Sequence, residues 1–139
     1  MTFKEKSSAL MLLIYAVVYG NYFLNTRAAL EATPAVDIDY QSTMLWMVGA
    51  LVVLAIIGNI VIAVLSTESA DQVDERDRAI ERVADQWAGY VLGGFCLFGM
   101  GLAMLEQAHF YIAHTLLAGL VVSEMSKLVM MLWRYRRGY

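Results

Sequence analysis

Cysteine and proline are almost absent from this chain, with one of each among 139 residues. The lone Cys96 excludes an intramolecular disulfide and any paired-cysteine metal site, and it reads as a small apolar packing residue. The single proline, Pro34, lies between the first two apolar runs and so breaks neither. Charge is also scarce: 17% of residues are Asp, Glu, Lys or Arg, 60% are hydrophobic, and mean hydropathy is +0.57. That balance excludes an ordinary soluble domain and makes the bilayer the solvent. No Ser-His-Asp or Cys-His arrangement, phosphate loop, lipidation motif or nucleic-acid signature appears. Neither an enzyme, a cofactor nor a nucleic-acid partner is therefore expected.

What the chain does have is four apolar runs, near 7–25, 44–65, 86–105 and 110–133. Each is close to the roughly 20 helical residues that cross a hydrocarbon core. Lys4 and Lys6 ahead of the first run resemble the start of a secretory signal, but the run exceeds a usual signal core and is expected to be retained. The expectation is all-α: one polytopic membrane domain over 1–139, an antiparallel bundle of four transmembrane helices. The connection "EQAH" is so short that the third and fourth helices must be antiparallel neighbours.

The basic residues set the orientation. Lys4 and Lys6 precede helix 1, Arg76, Arg78 and Arg82 separate helices 2 and 3, and Arg134, Arg136 and Arg137 close helix 4. The opposite side carries only Arg27, beside Glu31, Asp37, Asp39 and Glu106. The positive-inside rule then puts both termini in the cytoplasm, with Trp46, Trp87 and Trp133 at span ends as interfacial aromatics.

Between helices 2 and 3 the charged segment 66–85 alternates signs without Gly or Pro, so a helix leading directly into helix 3 is expected. Asp74–Arg78 has the favourable i,i+4 order, although each such pair adds only a few tenths of a kcal/mol. The block Asp74, Glu75, Arg76, Asp77 and Arg78 is either a solvated helix end or a docking surface for a basic partner or a neighbouring subunit. "DERDRAIERVADQWAGYVL" followed by "VVSEMSKLVMMLWRYRRG" resembles a family of small bacterial four-helix membrane proteins catalogued as a domain of unknown function. The resemblance covers about the second half of the chain. It implies a bacterial inner membrane and this topology, but no activity and no catalytic residues.

Two ionisable residues, Glu124 and Lys127, lie inside the fourth run. At about 1.5 Å per residue, Glu124 is about 13 Å and Lys127 about 9 Å from Trp133 at the span end. Isolated charges at such depth cost several kcal/mol. The i,i+3 spacing predicts that they pair with each other. Tyr15 falls level with Glu124 and Asn59 level with Lys127, which predicts one polar cluster of Tyr15, Asn59, Glu124 and Lys127. Tyr15, Tyr19 and Tyr22 form a phenolic stripe able to donate to a carboxylate. Small-residue faces at Gly89/Gly93, Ala16/Gly20 and Ala55/Asn59/Ala63 are expected to pack helices. Glu106 and His109 have helix-compatible metal spacing, but the pair occurs once, and capping of the tight turn is the better account.

Two functions remain open. One is a non-enzymatic accessory, regulatory or scaffold subunit that assembles with itself or a larger membrane complex. The other is a small oligomeric transporter or channel for protons or cations using Glu124. A dry, fully paired Glu124 would favour the first and a water-accessible one the second.

Overall fold

The computed structural model describes residues 3–65 and 75–137. The elements are α1 (Phe3–Ala32), a 3₁₀ turn (Ala35–Asp37), α2 (Gln41–Leu65), α3 (Glu75–Met104) and α4 (His109–Arg137). There is no strand among the described residues. All four helices are long and apolar enough to cross a membrane.

The helices outrun the apolar stretches that mark them. α1 continues past residue 25 through "TRAALEA" because nothing there breaks a helix and its alanines favour one. It stops where Pro34 disfavours helical geometry at Thr33. α3 begins at Glu75, so Glu75–Arg78 form its first turn, as a helix running directly into the third span requires. Asp74 and the rest of 66–74 lie outside the described residues.

The α3–α4 turn is closed by backbone geometry. Glu106 N donates to Ala103 O at 3.1 Å and Gln107 N to Leu102 O at 3.0 Å, a Schellman cap with Glu106 at φ 54°. A left-handed conformation costs a non-glycine residue about 1–2 kcal/mol. Glu106→Gly is therefore expected to raise stability by about 0.5–1 kcal/mol in a denaturant titration of the detergent-solubilised protein. A loss would mean that the carboxylate contributes more than the strain costs.

The helices do not close into a ring. α3 packs on α4, which also packs on α1, and α1 packs in turn on α2. The main core joins Tyr22 of α1, Met47 and Leu51 of α2, and Leu117 and Val121 of α4. A smaller core joins Ile80 and Ala84 of α3 to Met131 of α4. Side-chain contacts tie neighbouring helices together: Ser7 of α1 with Asn59 of α2, Tyr22 of α1 with His114 of α4, and Asp85 of α3 with Lys127 of α4.

The glycines at close contacts are not the expected ones. A Cβ added to Gly89, Gly93 or Gly20 would meet nothing within 4 Å, and Ala16 is exposed, so among the described residues none of these positions makes a close helix contact. A Cβ on Gly58 would lie 3.0 Å from Leu10, one on Gly99 3.1 Å from Leu116, and one on Gly119 2.5 Å from the Cβ of Phe95. The physical reason is rotational phase. α3 meets α4 along a stripe through Ala84, Phe95 and Gly99, and Gly89, five residues past Ala84, lies about 140° away from it.

Candidate functional site

In α4 the hydroxyls turn back on their own helix. Ser123 Oγ donates to Leu120 O at 2.9 Å, and Ser126 Oγ to Ser123 O at 2.8 Å. They are thereby satisfied and leave the flanking charges to find partners elsewhere. Lys127 finds one across the helix pair: its Nζ is 2.6 Å from Asp85 Oδ1 of α3. The expected Glu124–Lys127 pair is thus corrected. Positions three apart are offset by about 60° around a helix. That offset points Lys127 at α3 and leaves Glu124 on the side facing α1 and α2.

Glu124 makes no hydrogen bond or ion pair among the described residues, although Lys127 and Tyr15 lie within electrostatic reach of its carboxylate. It is exposed, and it lines a groove of about 350 Å³ between α1, α2 and α4. Tyr15 of α1, Val52 and Ile56 of α2, and Leu120 and Val121 of α4 share that groove. The groove exists because α2 leans on α1 rather than closing against α4 along its length.

Asn59 belongs elsewhere. It accepts a hydrogen bond from Ser7 Oγ at 2.8 Å and donates to Ala55 O at 2.9 Å. It latches α2 to the start of α1. The four-residue cluster expected from depth alone is therefore split: Tyr15 and Glu124 share the groove, Asn59 binds α1, and Lys127 binds α3. Depth was readable from the sequence, but direction around each helix was not.

Near the α3–α4 turn lies a polar-aromatic cluster around His114. His114 Nδ1 is 2.7 Å from Phe110 O, and because a carbonyl only accepts, Nδ1 carries the proton. Nε2 is then an acceptor, and Tyr22 Oη donates to it at 2.8 Å. Phe110 stacks on His114 with centroids 3.9 Å apart, and Tyr40 meets both rings edge-on. Tyr22 is 5% and Phe110 3% exposed, so this cluster is a structural fastening of α1, α4 and the segment before α2. The signals available in sequence were Phe110 and His114 at i,i+4 and the position of Tyr22 in the tyrosine stripe. Tyr22→Phe keeps the ring but strands the imidazole acceptor, and should lower stability by about 1–3 kcal/mol in thermal unfolding. A change below about 0.5 kcal/mol would remove the bond from this account.

Glu106 and His109 are both exposed at the turn, and no group of three or more His, Cys, Asp or Glu residues able to hold a metal gathers among the described residues. In the acid-arginine block, Glu75 and Arg78 are exposed and Asp77 is half-buried. No protein-family model, curated protein or solved structure matches the chain.

Proposed function

We propose that the protein is a small, non-enzymatic bacterial inner-membrane protein that moves protons or cations through Glu124, with both termini in the cytoplasm. The observation that carries this reading is that Asp85 takes Lys127, leaving the Glu124 carboxylate unpaired in an open groove. With no direct partner, and only the through-space field of Lys127, an ionised Glu124 in hydrocarbon is stabilised by water, a cation or a proton. A carboxylate that exchanges these partners is the minimal chemistry of a coupled carrier. The test is proton flux in proteoliposomes under an imposed gradient. Glu124→Gln should abolish flux, and Glu124→Asp should retain part of it. Equal flux from wild type and Glu124→Gln would end this reading.

A second reading has its own support. α3 packs chiefly on α4, and its Gly89, Gly93 and Gly94 face open space, a surface able to receive another helix closely. An accessory or scaffold subunit within a homo-oligomer or a larger complex fits that surface, with the acid-arginine block Asp74–Arg78 as its cytoplasmic docking surface. Gentle extraction followed by measurement of intact-particle mass tests it. A stoichiometric larger partner is the outcome expected on this reading, and a bare monomer the outcome against it.

A further inference from the structure

The groove at Glu124 has more shape than a proton site requires. Its volume of about 350 Å³ lies in the range of small-molecule pockets. Its walls are almost wholly aliphatic: Val48, Val52 and Ile56 recur every fourth residue along α2, facing Leu117 and Leu120 of α4. The polar groups are the carboxylate of Glu124 and the phenol of Tyr15.

Those walls discriminate among ligands. A bare metal cation needs several oxygen ligands, six or more for calcium, and this groove offers one carboxylate and one hydroxyl. An anion would face the Glu124 carboxylate directly, whereas the Lys127 ammonium, though within electrostatic reach of Glu124 and Tyr15, is bound to Asp85 and does not line the groove. A neutral hydrocarbon would fill the walls but leave the carboxylate desolvated without a counter-charge. One class satisfies both parts: a single positive centre carried on a large apolar body. The ring of Tyr15 adds to this selectivity, since an aromatic face attracts a cation.

We propose that the α1–α2–α4 groove binds a lipophilic organic cation, its charged centre on Glu124 and its apolar body along the α2 wall. The proposal rests on the Glu124 reading given above and adds the ligand class. With walls this apolar, such a ligand would enter from the bilayer, where amphipathic cations concentrate.

The test is equilibrium binding of tetraphenylphosphonium to the full chain in lipid nanodiscs, with triphenylphosphine oxide as the neutral control. Wild type should bind the cation saturably and the neutral compound at least about tenfold more weakly. Glu124→Gln should weaken cation binding by about tenfold or more, while Glu124→Asp stays within a few-fold. Val52→Trp fills the groove from an exposed wall position, leaves the carboxylate in place, and should weaken binding to a similar degree. The proposal is overturned if Glu124→Gln binds like wild type, or if the neutral compound binds as well as the cation. It is also overturned if Ile56→Cys cross-links fully between two copies regardless of added cation, because the groove would then be a subunit interface. Proton flux that needs Glu124 without any cation binding would overturn the ligand class and leave the carrier reading standing. Cation binding without proton flux would do the reverse.

Discussion

Replacing Gly119 with valine should detach α3 from the rest of the molecule. A Cβ at Gly119 would lie 2.5 Å from Phe95 Cβ and 3.1 Å from its Cγ. Carbon atoms in contact sit about 3.5–4.0 Å apart, so even alanine needs roughly an ångström of relief. A flexible side-chain tip can swing away, but Phe95 Cβ is fixed to the α3 backbone. The whole helix must therefore move. α3 has its main packing partner in α4, and moving it away opens the contact of Ile80 and Ala84 with Met131 and stretches the Lys127–Asp85 bridge. Overpacking of this kind costs about 1–3 kcal/mol, so Gly119→Ala is expected in that range and Gly119→Val at or above its top. The measurement is unfolding in mixed micelles with rising sodium dodecyl sulfate, followed by the fluorescence of Trp87 on α3. A Gly119→Ala variant within about 0.5 kcal/mol of wild type would show that the helices separate freely and would defeat the argument.

The same experiment on Gly89 and Gly93 should give almost nothing, because a methyl group there meets open space. This contrast shows what the sequence could and could not disclose. Length and hydropathy were enough to find four helices, since a spanning helix satisfies its own backbone whatever its neighbours. The tight "EQAH" turn was enough to set α3 beside α4. Which face of α3 meets α4 was hidden, because its apolar span is apolar on every side and glycines fall on several faces. In water, the polar side of a helix marks its outer face. In lipid that marker is lost, and a glycine motif reads the same whether it faces a neighbour or the bilayer.

The polar residues followed a similar logic. Glu124 was legible as exceptional from its depth alone, and Tyr15 as its companion at the same level. The choice of partner for Lys127 was not, because it depends on how α3 is rotated: the turn that seats Ala84 in the small core brings its neighbour Asp85 within 2.6 Å of the ammonium. A local i,i+3 partner lost to a cross-helix one. The His114 cluster was missed for the same reason, since Tyr22 and His114 are 92 positions apart.

Asp85→Asn should silence Glu124 without touching it. In the wild type, Lys127 is held toward α3, with its side chain 24% exposed and that of Asp85 53% exposed. Neutralising Asp85 removes the ion pair, and the nearest carboxylate on the same helix is Glu124, within the 5–6 Å Cβ spacing of i,i+3 positions. The ammonium regains a carboxylate when it turns to Glu124, so no charge is left isolated and fold stability should change little. The functional effect should be far larger, because an ammonium paired to Glu124 competes directly with any proton or cation the groove would hold. Cation binding and proton flux are expected to fall about tenfold in Asp85→Asn. They should return in Asp85→Asn/Lys127→Met, where no ammonium remains to make the pair, and Lys127→Met alone should bind as well as wild type. That reversal of sign separates electrostatic capture from simple structural damage, which a second substitution in the same contact would deepen. If the double variant is as impaired as Asp85→Asn, then Asp85 acts by holding α3 in place. The unpaired state of Glu124 would not then depend on where Lys127 points.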